Sequence, residues 1–146
     1  MSNVACTPEL RITLPAEHTS LALLRHVVRG FRDAYGVDAE TMDDIVLAVS
    51  EAATNVVVHA YGRRRGTVTV VARVDGETLH ILVRDHGSGI TSPADTPVLG
   101  RGLALMEHVA SSLEIAGSPA GTDVLMTFKL QPERTPATLG DFGASL

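Results

Sequence analysis

Three short blocks carry residue types that can do chemistry: Glu51-Ala-Ala-Thr-Asn55, Asp85-His-Gly-Ser-Gly89 and Gly100-Arg-Gly-Leu103. Glu51 and Asn55 are four residues apart, a spacing that puts both side chains on one face of a helix. A carboxylate and an amide oxygen placed so can serve as a base and as a ligand for a hard cation. Magnesium takes oxygen ligands and keeps several waters, so one Asn plus nucleotide phosphates suffices to hold it. Asp85 ends the apolar run Leu79-His-Ile-Leu-Val-Arg84, and a carboxylate there can accept a hydrogen bond from an exocyclic amine such as adenine's. Gly87 and Gly89 leave room for a base to lie against backbone. Gly100-Arg101-Gly102 is expected to open a helix, where free N–H groups and the positive dipole end suit phosphate oxygens. Arg101 adds charge there or is simply solvated. The Thr122 hydroxyl, after Gly121, can reach a base directly or through water. Each block alone has a plainer reading: a polar helix edge, an Asp-Gly turn, a loop before a helix, a β-turn. Their order in one chain is what describes a pocket for a nucleotide and a divalent metal.

The elements that must position these residues follow from periodicity. Residues 9–14 alternate and are β-rich, so they read as a strand ended by Pro15. Leu21, Leu23, Leu24, Val27, Val28 and Phe31 form an apolar set at helical spacing, and Gly36 closes that first helix. Asp38 is a plausible N-cap for a second helix over 40–60, stopped by Gly62. On it Ile45, Val49, Ala52, Val56 and Ala60 form an apolar stripe, with Glu51, Asn55 and His59 as a polar row beside it. Ala48 and Ala52 are small enough to let a ligand approach the helix. His59 could touch the phosphates but is rather expected to pack, and His86 to be exposed. Strands are expected at 67–74 and 78–83, joined by the Asp75-Gly76 turn as a hairpin. Residues 85–100 read as a long loop, 102–111 as a third helix, and 113–116 and 123–130 as the last strands. Together these predict an α/β fold: a two-layer sandwich of a mixed, mostly antiparallel sheet with helices on one face.

Composition narrows the function classes. A chain of 146 residues is most simply one domain, here 1–130, with a frayed, flexible tail over 131–146 that is rich in Pro, Thr, Gly and Ala. Aromatics are 3% of residues, so the core must be aliphatic and the stacking platforms of single-strand nucleic-acid binders are missing. A net charge of −5 supplies no field for a phosphate backbone. The cluster Arg63-Arg64-Arg65 is the local exception and fits a solvated helix end. Arg25, Arg29 and Arg32 on one side of the first helix are a candidate partner contact, or a solvated face. Cys6 is the lone cysteine and forms no internal disulfide. With no leader pattern at the start and no long apolar run, the expectation is a cytoplasmic protein without a membrane span. Gly-Lys-Thr/Ser and Gly-x-Gly-x-x-Gly are both missing, which disfavours P-loop and dinucleotide folds.

The ordered blocks resemble the GHKL ATPase/kinase superfamily, with its Bergerat ATP-binding fold. Glu51-x-x-x-Asn55 looks like its N box, Asp85-x-Gly87-x-Gly89 its G1 box, Gly100-x-Gly102-Leu103 its G2 box, and Gly121-Thr122 its last glycine-threonine motif. The resemblance covers about residues 9–130. Within the superfamily, the short length and Leu47-Ala-Val-Ser-Glu-Ala-Ala-Thr-Asn55 are similar to bacterial anti-sigma factor serine/threonine kinases. Gyrase, MutL and Hsp90 relatives carry further domains, and sensor histidine kinases a helical domain with the phosphorylated His; neither is expected here.

The resemblance implies that Asn55 binds Mg²⁺, Asp85 the adenine amine, and that Gly87 and Gly89 shape the adenine pocket. It implies that Gly100 and Gly102 hold phosphates within a G2 box that includes Arg101 and Leu103, that Thr122 assists at adenine, and that Glu51 is the general base toward a serine hydroxyl. The implied cofactors are ATP and Mg²⁺. The implied partners are a sigma factor, held inactive, and an antagonist protein that receives phosphate; some members are homodimers. The alternative is a catalytically inactive ATP-binding module of the same fold with a non-sigma partner. Two departures stand out: residues 90–99 make only a small ATP lid, and no Arg directly precedes Gly100, leaving Arg101 as its substitute.

Overall fold

The computed structural model of the chain describes residues 9–88 and 96–130, with backbone alone over 96–101. Cys6, Gly89, the lid segment 90–95 and the tail from Gln131 lie outside the described residues. The elements run β1 (Glu9–Pro15), α1 (His18–Arg29), α2 (Phe31–Tyr35), α3 (Ala39–Asn55) continued by a π-helical turn (Val56–Ala60), β2 (Thr67–Asp75), β3 (Thr78–Asp85), α4 (Thr96–Val109), β4 (Ser112–Ser118) and β5 (Gly121–Lys129). The sheet order is β1-β2-β3-β5-β4. Every pairing is antiparallel, so the mixed sheet expected from sequence is antiparallel throughout.

Successive strand side chains point to opposite faces, so one register fixes which residues meet the helices. Ala72, Ile81 and Met126 form one cross-strand row, Val70, Val83 and Val124 the next, and Val68, Asp85 and Thr122 the last. Leu79, Ile81 and Val83 are fully buried, and the same period of two carries Asp85 onto that apolar face. On the opposite face the Arg84 guanidinium donates to both oxygens of Asp123, at 2.7 and 2.8 Å. Arg84 and Asp123 are direct register partners, so this two-pronged pair also opposes a slip of β3 against β5.

The helices cover the first face. Leu24, Val28, Ile45, Val49, Ala52 and Met106 join the sheet residues in one buried cluster. Ala48 and Ala52 are buried in it, so their small size serves packing and leaves no bare helix for a ligand, contrary to the sequence expectation. The single first helix expected up to Gly36 is instead two, interrupted at Gly30. Glycine is a poor interior helix residue, and the break falls on it. Arg25 donates to the Ser50 hydroxyl at 3.2 Å and Arg29 reaches Asp43 at 4.0 Å, while Arg32 falls beyond the break.

Asp38 caps α3, accepting the Thr41 N–H at 2.8 Å. The last expected turn of that helix is not α-helical: after Asn55 it widens into the π turn. The Thr54 hydroxyl donates back to the Ser50 carbonyl at 2.7 Å, a bond that bends helices. Val56, Val57 and Val58 then follow, a branched run that crowds a regular turn. His59 lies in this turn and is exposed rather than packed.

Candidate functional site

Two clusters of the expected residues form, joined by the end of α3. In the first, α4 lies against α3. Glu51 and Asn55 are half-buried on α3, and Gly102 of α4 faces both. A Cβ at position 102 would lie 3.1 Å from Glu51 Oε2, 3.6 Å from Asn55 Nδ2 and 3.9 Å from Asn55 Oδ1. Glycine there keeps α4 close while leaving the two polar side chains uncrowded. Met106, fully buried one turn on, anchors α4, and Leu103 packs against the core.

The second cluster surrounds Asp85, only 6% exposed at the end of β3. Its Oδ1 accepts the Gly87 N–H at 2.9 Å, and its carboxylate also accepts the Thr122 N–H. Burial nevertheless dominates and raises its pKa above the ordinary value, against the lowering by those two N–H groups. A buried carboxylate with lone pairs left over favours a ligand that brings a hydrogen-bond donor. Thr122 is buried beside it, and Gly121 packs on the Asp85 carbonyl. His86 is exposed, as expected.

The π turn joins the clusters. The Ala60 carbonyl at its end accepts the Ser88 N–H at 3.0 Å. A Cβ on Gly87 would strike that carbonyl, so only glycine allows the approach. Gly87 and Ser88, together with Arg64, Arg65 and His86, also line a cleft of about 390 Å³.

One expected feature differs. The helix holding Gly100, Arg101 and Gly102 begins at Thr96, so these residues lie inside it rather than opening it. Free N–H groups belong to the first turn of a helix, and in this conformation Gly100 and Gly102 lie past it. The signal was in the sequence: Pro97 sits in the first turn, where a missing N–H costs nothing. Gly89 lies outside the described residues, as do residues 90–95 of the segment expected to be a lid. Among the described residues no three His, Cys, Asp or Glu side chains gather as a metal cage, and no helix is long and apolar enough to cross a membrane. Tyr61, which no sequence motif singles out, bridges Thr67 and His86 beside Asp85 through its hydroxyl.

A five-stranded antiparallel sheet thus lies under helices, with a buried Asp at a strand end and a Glu–Asn pair against a glycine-bearing helix. The chain belongs to the family described as the histidine kinase-like ATPase domain, which matches residues 14–128. It is 32% identical to the anti-sigma F factor of Clostridium acetobutylicum, over 83% of this chain and 92% of that one. It is 29% identical to the serine-protein kinase RsbW of Bacillus mycoides, over 86% of this chain and 88% of that one. Its fold is similar to the crystal structure of the RsbU and RsbW domains of Rv1364c from Mycobacterium tuberculosis, with a TM-score of 0.71 and 30% identity. That match covers 90% of this chain and 35% of the Mycobacterium chain. A blue-light activated histidine kinase of Erythrobacter litoralis is also similar, at a TM-score of 0.56 and 29% identity over 68% of this chain.

Proposed function

We propose that this chain is an ATP- and Mg²⁺-dependent serine/threonine protein kinase that acts as an anti-sigma factor, binding a sigma factor and phosphorylating an antagonist protein. The observation that carries the kinase part is the meeting of Glu51 and Asn55 with Gly102: a carboxylate and an amide share one helix face, kept open by a glycine. The residues present fit the nucleotide. Asp85 is a buried acceptor with hydrogen-bonding capacity to spare, suited to adenine's amine, with Thr122 and Gly87 as neighbours. The Asn55 side-chain oxygen suits a magnesium ion whose remaining ligands are phosphate and water. The identity with an anti-sigma F factor and a serine-protein kinase, at nearly full length, supports the choice of partners and of acceptor.

Bound ATP with its metal supplies the phosphoryl group and neutralises charge on it. Within the chain, Glu51 takes the proton of the incoming serine or threonine hydroxyl. Asn55 would hold the metal and Asp85 would accept from the base's amine; the hydroxyl oxygen would bond to the γ-phosphorus as its bond to the β-phosphate oxygen breaks, and ADP would leave. Such transfer is mainly positioning and charge neutralisation, so a modest donor set is sufficient. Incubation with γ-labelled ATP, magnesium and candidate antagonist proteins tests the proposal. Label appearing on a Ser or Thr of an antagonist, together with capture of a sigma factor, is the expected result. No calorimetric heat at millimolar ATP rejects nucleotide binding; binding without transfer to any antagonist leaves the inactive ATP-binding module as the reading.

A further inference from the structure

Three successive backbone N–H groups after Asp85 each go to a different acceptor. The His86 N–H donates to the Tyr61 hydroxyl oxygen at 2.9 Å, the Gly87 N–H to Asp85 Oδ1 at 2.9 Å, and the Ser88 N–H to the Ala60 carbonyl at 3.0 Å. The Asp85 carboxylate is thus oriented by a turn that the end of the π-helical segment holds from both sides. Tyr61 is itself fixed. Its hydroxyl donates to the Thr67 carbonyl at 2.5 Å, at the start of β2. Its ring lies so close over Gly66 that a Cβ there would strike it. Gly66 is held in turn, its carbonyl accepting the Ala16 N–H at 2.9 Å. A phenol can donate one bond and accept another at once; here it ties the start of β2 to the turn that aims Asp85.

We propose that Tyr61 is a positioning residue for base recognition: by fixing the His86 N–H it sets the direction of the Asp85 carboxylate, and so the preference for a purine that carries an exocyclic amine. This rests on the reading of Asp85 as the adenine acceptor. Tyr61 itself touches no substrate in this scheme. Removing its hydroxyl leaves Asp85 in place but frees the turn beside it, so discrimination between bases falls while the rest of the nucleotide is gripped as before. The π turn contributes by delivering Ala60 and Tyr61 side by side against the turn. A site that recognises a donor strongly rejects the analogue lacking it, so discrimination is the sensitive readout.

The test measures binding of ATP and of inosine triphosphate, which has no exocyclic amine, to the full chain and to Tyr61→Phe. The unaltered chain prefers ATP, and Asp85→Asn abolishes that preference. Tyr61→Phe is expected to reduce the ATP-over-inosine ratio by about tenfold, chiefly by weakening ATP. Amide exchange at His86 and Gly87 should quicken at the same time. A role in folding alone would lower the melting temperature and leave the ratio where it was; that result overturns the proposal. Gly66→Ala, which displaces the ring but keeps the hydroxyl, should reproduce the loss of discrimination, and it is read in place of Tyr61→Phe if that variant does not fold. An unaltered chain that binds both nucleotides equally instead overturns the adenine reading on which the proposal stands.

Discussion

Asp85→Asn should have opposite effects on the free and the ligand-bound protein. In the free protein Asp85 is 6% exposed, and burial raises its pKa above the ordinary 3.8. A carboxyl whose folded pKa is raised contributes stability that is fully present below its unfolded value and lost as pH rises through the folded value. At neutral pH the buried ion therefore works against the fold. Asparagine removes that charge and keeps one carbonyl to accept from Gly87 or Thr122. The variant's stability relative to the unaltered chain should increase as pH rises from below 3.8 toward neutrality, which urea unfolding across that range reads directly. Binding should move the other way. A hydrogen bond to a charged acceptor contributes about 1.5–3 kcal/mol, so ATP affinity should drop about 10- to 150-fold by calorimetry at neutral pH. Affinity for inosine triphosphate should change far less. An asparagine variant that binds ATP as tightly as the unaltered chain would refute the role of Asp85. A stability difference that shrinks with rising pH would refute the electrostatic argument.

Gly102→Ala should be neutral or stabilising to the fold, since alanine gains about 1 kcal/mol over glycine in a helix. It should nonetheless slow phosphotransfer by at least about tenfold, because its Cβ, 3.1 Å from Glu51 Oε2, displaces that carboxylate; unfolding midpoint and single-turnover rate together check this. Asn55→Ala should leave ATP binding measurable without metal but remove the gain in affinity on adding magnesium, read by a magnesium titration. Asp38→Ala should cost about 0.5–2 kcal/mol through loss of the α3 cap, with no effect on base discrimination. The Asp38 pKa is lowered chiefly by its bond to Thr41, so its contribution is present above the ordinary 3.8 and lost as pH falls through the folded value.

The sheet was the most legible part of the sequence. The strand expected at 78–83 forms and runs on to Asp85, so its period of two places Asp85 on the face of Leu79, Ile81 and Val83. The polar pair of α3 was legible for a similar reason: a four-residue spacing survives any helix that continues through both residues. What followed Asn55 was not legible, because the π turn depends on how Thr54 and three valines accommodate the core, and a helical wheel assumes no such widening. His59, in that turn, is exposed where packing is expected. The start of α4 is less legible, because Gly100 and Gly102 look like a helix opening while the helix begins at Thr96, with Pro97 in its first turn. Tyr61 carried no signal of its own. Its importance comes from contacts with Thr67 and His86, 6 and 25 residues away, that only the fold brings together.

The central proposal is an enzyme and not a passive nucleotide binder, and Glu51 separates the two. Glu51→Gln keeps shape and hydrogen bonding but removes the base. With an antagonist protein as acceptor, the single-turnover transfer rate should fall by about 10²- to 10⁴-fold while ATP affinity stays within about twofold. Transfer from Glu51→Gln at the rate of the unaltered chain would contradict the account.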